Sequence, residues 1–402
     1  MNGGMQRCFN MLHQLTLHFK LTAIIHQEKE NFLQSIKDYP AIASAKIYST
    51  KNNDTKDLLN LIPARVENAL RSRWYQRKWN SPADSSLIKY YPILIQLLKR
   101  QKFDVIILEN LATLNAVRII RRFDKKVKII YDAHNVDSNL EKAALNRNET
   151  SYKQFKSILN RERNLKEMVN GIITCSENDK QRFEQLNSGK LVVEVVPNGI
   201  AIPETRFDAG VKKDQPEYIL FCGTLCSIPN VEGLDWFCKS IWPLILQQFP
   251  NLKLLIIGGG KLPEKYRAIK ATRNIEFTGS VQDVKKWYNY ATISVVPLLT
   301  GSGTRLKILE AMAMGVPVVS TEIGAEGICY NNQIDIIIAD EEKEFAEKVI
   351  QLLKNQKLRI EIAQHARELV KKQYDWNIIG LQMRKVLTLL TNNKEGAKNI
   401  YE

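Results

Sequence analysis

No apolar run in this chain approaches the roughly 20 residues that cross a bilayer as a helix. Its first residues, MNGGMQRCFN, also lack the apolar core and small-residue cleavage site of a secretory signal. These two absences predict a cytoplasmic protein. Cysteine is scarce, with six in 402 residues, and Cys222 and Cys226 have neither a second close pair nor a histidine at zinc spacing. That pattern argues against a disulfide framework or structural metal site and predicts buried free thiols. An Asp-x-Asp triplet for holding a metal–diphosphate is missing, and so is a P-loop. Any diphosphate chemistry is therefore expected to rest on backbone dipoles and on Lys or Arg, with no metal and no cofactor.

What is present is an ordinary soluble composition, 44% apolar and 25% charged, in a chain long enough for two domains. The net charge of +15 is uneven. Residues 1–200 hold 32 Lys+Arg against 20 Asp+Glu, and the remainder 26 against 23. The excess is densest from Arg65 to Lys102, where Arg71, Arg73, Arg77, Lys78, Lys99 and Arg100 mix with Trp74, Tyr75, Trp79, Tyr90 and Tyr91. Such a surface suits phosphates of nucleic acid or the anionic face of a membrane, and equally a solvated basic face.

Hydrophobic periodicity predicts alternating strands and helices. Gly3-Gly4 reads as a turn, Gln6–Phe19 as a helix with Phe9, Leu12, Leu15 and Phe19 near one face, and Leu21–Ile25 as a strand. That is a βαβ unit without its first strand, which suggests an N-terminally shortened chain or a rebuilt sheet. Ala45–Ser49 is a further candidate strand, and the basic region reads as two helices around Asn80-Ser81-Pro82. Strands at Asp104–Leu108, Val127–Tyr131, Gly171–Cys175 and Val192–Val196 alternate with helices at Leu111–Arg122 and Asn139–Asn170 and one capped by Ser176. Residues 1–200 thus form one domain, and 201–216, with proline at its margins and no apolar period, a linker. A second domain spans 217–375, with strands at Tyr218–Phe221, Leu252–Ile257, Ile275–Phe277 and Thr292–Val296, a helix from Asn230 and another over Val284–Tyr290. Residues 376–402 supply a last amphipathic helix. The fold class predicted is α/β, with two doubly wound parallel sheets whose ligands lie at the carboxyl ends of the strands.

The richest stretch is 301–321, GSGTRLKILEAMAMGVPVVST. The turn Gly301-Ser302-Gly303-Thr304 opens a helical run carrying Arg305, Lys307 and Glu310. A helix start offers free N–H groups and the positive end of a dipole to an anion. Lys307 and Glu310 share one face, so a cation and an acid stand above that turn. An ordinary glycine loop with a solvated charge pair is the plainer reading. Gly223-Thr224 and Gly258-Gly259-Gly260 end strands and can bring backbone close to a ligand. Val281 lies just before a helix that Asp283 is suited to cap. His134 follows a buried strand, where a histidine can hydrogen-bond a hydroxyl or move a proton. Asp132 and Asp137, which flank it, read as turn and cap residues.

Taken together, NGGMQR (2–7), YDAHNVDS (131–138), VVPNGI (195–200), FCGTLCSIPNVEGLDWF (221–237), LIIGGG (255–260), FTGSVQDV (277–284), the stretch 295–321 and GAEGI (324–328) resemble the retaining glycosyltransferases of family 4. That family has the GT-B fold, with a last helix, here 376–402, expected to cross back onto the first domain, and the likeness is strongest to bacterial enzymes of surface polysaccharide or glycolipid synthesis. The resemblance implies sugar transfer from a nucleotide-sugar co-substrate to a saccharide or lipid-linked acceptor; the basic, aromatic surface would then hold a lipid-linked acceptor or rest on the inner face of the cytoplasmic membrane. Nucleic acid is then not an expected partner. The likeness also implies that Glu310 binds ribose hydroxyls and that Gly301, Ser302, Gly303 and Thr304 meet the diphosphate. Val281 would meet the base, His134 the donor sugar, and Gly3, Gly4, Gly223 and Thr224 the phosphate region. Three departures stand out. Ser302 replaces the family's first motif glutamate, and Thr224 and Asn230 occupy the region of its usual Arg and Lys. Arg305 and Lys307 are expected to supply that charge. The missing first strand is the third departure, and it leaves open a weakly active or inactive nucleotide-sugar-binding protein. An epimerase or a basic interaction protein are the other readings.

Overall fold

The computed structural model describes residues 3–25, 31–32, 37, 39–49, 90–147, 149–203, 218–301 and 303–392. The chain divides into two compact units, one of Met1–Val196 with Gly380–Glu402 and one of Pro197–Ile379.

In the first unit, helix α1 runs over Gly3–Thr16, so Gly3 and Gly4 form its first turn and not a separate turn before it. Arg7, Met11, Gln14 and Leu15 are buried along one face at helical spacing, and Phe9 is buried against Phe32 and Ile42. The helix stops three residues before Phe19, which is left exposed. Strands β1 (Thr22–Ile25) and β2 (Lys46–Ser49) pair in parallel. Helix α2 (Tyr90–Arg100) is the described part of the basic region; the rest of the two helices predicted there lies outside the described residues. Strand β3 (Val105–Glu109) leads to a 3-10 turn, Leu111–Ala116, and then to α3 (Val117–Phe123), where the sequence predicts one helix. The cause is Asn110, at φ 77°, whose carboxamide accepts from the N–H of Ala112 and Thr113 and tightens the first turn. After β4 (Lys128–Ala133), the predicted long helix is two: α4 (Asp137–Asn146) and α5 (Tyr152–Arg163). Ser151 caps α5 by accepting from the N–H of Gln154 and so breaks the run. Strand β5 (Gly171–Thr174), helix α6 (Glu177–Leu186) and strand β6 (Val192–Val195) follow, with Ser176 capping α6.

The parallel order is β3-β4-β5-β6, and β1-β2 is a separate pair. Among the described residues neither β1 nor β3 has a second strand partner.

The second unit holds strands β7 (Tyr218–Cys222), β8 (Leu254–Ile257), β9 (Ile275–Gly279), β10 (Ala291–Val296), β11 (Val318–Ser320) and β12 (Ile337–Ile338). Helices α7 (Ile228–Trp236) and α8 (Trp242–Gln248) continue into each other through a π turn, and the one-turn α9 (Lys285–Tyr288) precedes β10. Then come α10 (Leu306–Ala313), α11 (Glu342–Lys354) and α12 (Gln356–Gln373). The sheet order is β12-β11-β10-β7-β8-β9, with every pairing parallel. β8 is the run Leu-Leu-Ile-Ile with all four residues buried, as a parallel strand covered on both faces requires. One cluster, built on Phe221, Trp242 and Phe345, covers one face; another, built on Ile308, Met312 and Val370, covers the other. Both units are thus parallel α/β, as the alternation predicts.

Ile200, the last residue of the predicted first domain, is buried in this second unit, which begins at Pro197, and donates its N–H to the Tyr374 carbonyl. The final helix, α13 (Trp376–Asn392), starts in the second unit and from Gly380 onward belongs to the first. There Gln382 donates to the Val195 carbonyl, and Leu390 packs so closely on Gly171 that an added Cβ would lie 2.6 Å from it. Among the described residues no helix is long and apolar enough to cross a membrane.

Candidate active site

In the second unit the chain leaves β7 toward β8 on one side, whereas β10, on the other side of β7, leads to β11. The carboxyl ends of β7 and β10 therefore flank a topological switch point, the usual ligand crevice of such sheets. Gly223 ends β7. A Cβ there would lie 2.9 Å from Lys307 Nζ and from Asn230 Cγ, so only glycine leaves room for both side chains. Lys307 Nζ donates to Asn230 Oδ1 at 2.7 Å and lies 5.2 Å from the centroid of the Phe221 ring. The ammonium is thus held in the region where Thr224 and Asn230 replace the expected cations. Asn230 also donates to the Thr224 carbonyl at 3.0 Å, and Thr224 itself is exposed.

Burial pushes the Lys307 ammonium down to about 8; Cys222 and Glu310 pull it up, and Arg305 adds to the depression. Glu310, one turn along α10, is half-buried, and burial raises its carboxyl while Lys307 and Lys285 pull it back. Cys222 is pushed up to about 11, first by burial and then by Glu310. Tyr288, also buried, donates its hydroxyl to the Lys307 carbonyl at 3.2 Å and supports the first turn of α10.

The glycine turn before α10 has Gly301 at φ 115° and Gly303 at φ 82°, a left-handed geometry that side chains resist. A Cβ on Gly301 would lie 2.7 Å from a guanidinium nitrogen of Arg305. Arg305 is the N-cap residue of α10, and burial lowers its pKa while Glu326 opposes that. Ser302 lies outside the described residues, and Thr304 is half-buried beside the turn. Val281 packs on the apolar cluster of this unit, and Asp283 accepts from the N–H of Lys285 as a local cap.

The first unit carries the remaining candidates. His134 follows β4, and Gly3 and Gly4 start α1. Asp132 is no turn residue. It is buried in a two-point ion pair with Arg7, whose Nε and Nη2 lie 3.2 and 2.8 Å from its oxygens. Arg7 Nη1 also donates to the Val196 carbonyl at 3.0 Å. Burial works against the Arg7 charge, and Asp132, with Cys175 and Glu109, more than offsets it. Beside this pair the Cys8 thiol donates to Glu109 Oε2 at 2.8 Å, and burial first, then Glu109, holds that thiol well above its usual range. Asp137 opens α4, its carboxyl raised by burial. The thiols are not uniformly buried as the sequence predicts: Cys175 and Cys238 are, Cys8 and Cys222 are half-buried, and Cys226 and Cys329 occupy exposed loops.

Asn230, Phe221, Tyr288, Arg7, Cys8 and Glu109 are the neighbours that pattern reading misses. Their partners lie far off in sequence, 77 residues for Asn230 and Lys307 and 125 for Arg7 and Asp132.

Residues 62–202 match the family Glycosyltransferase Family 4, and residues 216–355 match Glycosyl transferases group 1. Over 164 residues the chain is 32% identical to an uncharacterized 44.6 kDa protein in the cps region of Klebsiella pneumoniae, covering 39% of this chain and 42% of that one. It is 25% identical over 257 residues to phosphatidyl-myo-inositol mannosyltransferase of Mycobacterium tuberculosis, covering 61% of this chain and 65% of the other. The chain thus spans less than two thirds of either relative. Among solved structures, that of Anabaena Alr3699/HepE in complex with UDP and glucose has a TM-score of 0.65 at 13% identity, covering 97% of this chain and 96% of the other. At that identity the likeness concerns the fold alone, which is GT-B.

Proposed function

We propose that this chain, with a Glycosyltransferase Family 4 match in its first half and a group 1 match in its second, is a retaining, metal-independent hexosyltransferase. It moves a sugar from a nucleotide-sugar donor to a saccharide or lipid-linked acceptor in surface-polysaccharide or glycolipid synthesis. It works in the cytoplasm at the inner membrane face, where the basic first half meets anionic lipid. The observation that carries the reading is the fixed ammonium of Lys307 at the end of β7, one turn from Glu310.

A departing nucleoside diphosphate gains negative charge as the glycosidic bond breaks. A cation already in place, with little water to displace, stabilises that charge in the transition state. Lys307 supplies it, and Arg305 adds a second charge across the turn of Gly301, Ser302, Gly303 and Thr304, whose backbone cradles the phosphates with Gly223 and Thr224. Glu310 accepts from ribose hydroxyls, Val281 meets the base through its backbone, and His134 orients the donor sugar. Gly3 and Gly4, in the first turn of α1, turn their N–H groups to the phosphates.

A thermal-shift screen of nucleoside-diphosphate sugars, followed by an assay of acceptor-dependent nucleotide release, tests this. At 100 times its dissociation constant a true donor adds about 2.7 kcal/mol to stability. Absence of any stabilising nucleotide sugar removes the reading. Stabilisation without acceptor-dependent release leaves a nucleotide-sugar-binding protein.

A further inference from the structure

We propose that Cys8, Glu109 and His134 form a binding site for a divalent ion of the zinc class, lying wholly within the first unit. The three residues come from the second turn of α1, the end of β3 and the loop after β4, and one ligand atom from each falls within 4.8 Å of the other two. A tetrahedral ion bound at about 2.0–2.3 Å needs such atoms about 3.3–3.8 Å apart, so rotamer adjustment closes the site. Sulfur, imidazole nitrogen and carboxylate oxygen together suit zinc and not magnesium or calcium. Three protein ligands leave a fourth position for water or an added ligand.

The thiol-to-Glu109 hydrogen bond accounts for two of the three groups and leaves His134 unexplained. His134 Nε2 is shut off from solvent and has no hydrogen-bond partner among the described residues, which is costly for a ring nitrogen. The frame around the cluster is rigid. Arg7 precedes Cys8 and is clamped to Asp132, and Asp132 is the ladder partner of Glu109 and lies two residues before His134. Because Asp132 matches the Arg7 charge, a Cys8 thiolate and the Glu109 carboxylate are left to balance the ion.

Binding breaks the Cys8 S–H bond, forms a sulfur–metal bond and releases one proton to solvent for each ion taken up. No electron is transferred. An ion held there occupies the His134 ring, so the site is a place where zinc shuts off whatever that ring does.

Cobalt titration of the full-length, chelator-treated chain tests the site without any sugar donor, so its result stands apart from the proposed transfer. The expected result is one equivalent of Co2+ bound with a thiolate-to-cobalt charge-transfer band and tetrahedral visible bands, displaced by Zn2+. Cys8→Ser keeps a donor to Glu109 and the fold; it should lose the charge-transfer band and weaken Zn2+ at least about 10–100-fold. Cys226→Ser, which alters an exposed thiol, should leave both unchanged. No band in the parent chain, or a band that survives Cys8→Ser, overturns the proposal.

Discussion

Lys307 is held by a carboxamide and an aromatic face, both neutral, and burial outweighs the pull of Glu310, so its charge is costly until a further anion arrives. Removing it should therefore cost turnover more than folding. Lys307→Ala is expected to lower kcat by about 10²–10³, or about 2.7–4 kcal/mol, in a steady-state transfer assay. Unchanged turnover would exclude the role. The ammonium titrates near 8 because burial disfavours the charged form. For the free protein, kcat/KM for the donor should be level below that pH and fall about tenfold per unit above it. Lys307→Arg, whose guanidinium does not titrate there, should remove the fall even if its absolute rate is lower. Arg7 and Asp132 present the opposite case, a buried pair complete without a ligand. Asp132→Asn leaves a buried guanidinium unmatched and should cost about 3–5 kcal/mol in urea denaturation. Arg7→Met with Asp132→Leu should recover most of that. At this scale the sequence is half legible. The glycines, Lys307 and Glu310 stand in one short stretch whose spacing can be read. Asn230 and Phe221 can be assigned to Lys307 only once β7 and β10 are known to be neighbours.

Among the elements, parallel strands were the most legible, because burial on both faces writes them as unbroken apolar runs such as Leu254–Ile257. Helix boundaries were less so. Asn139–Asn170 reads as one helix because no glycine or proline interrupts it, yet its apolar period lapses over the polar run 146–151, and there Ser151 divides it through a side-chain bond that competes with the helical one. The resulting hairpin of α4 and α5 hides a carboxyl. Glu162 is fully buried, and both its oxygens accept from the Ser138 N–H at the start of α4. Burial pushes this carboxyl up to about 7 from an ordinary 4.5, although its contacts with Ser138 pull the other way. An acid whose folded pKa is raised favours the folded state below its unfolded pKa. That advantage is lost as pH rises through the folded value. Stability should thus decline between about pH 4.5 and 7, by on the order of 3 kcal/mol. Glu162→Gln should abolish that slope in melting temperatures taken across the range, and a slope that persists in the variant would assign it to another group.

For the whole molecule, the charge imbalance and the two α/β alternations were legible at once, because both are sums over many residues. The return of the chain was legible only through the family resemblance, since an amphipathic period says that a helix has a buried face and not which core receives it. In α13 the answer lies in particular contacts. Trp376 packs against Gly199 in the second unit, whereas Gly380 fits against Gln14, Gln382 holds the Val195 carbonyl and Leu390 fills the space beside Gly171, all in the first. The last strands of the first unit, β5 and β6, therefore depend on a segment almost 200 residues downstream, 187 in the case of Gln382 and Val195. Ending the chain after Ile379 uncovers the apolar face that Met383, Val386, Leu387 and Leu390 now bury against that unit. It leaves Trp376 and Ile379 in place. Native-state hydrogen exchange should then show amides of β5 and β6 losing protection by orders of magnitude, with β8 and β10 unchanged. Equal loss in both units would mean that they unfold as one, and no loss in β5 and β6 would mean that α13 contributes nothing to the first.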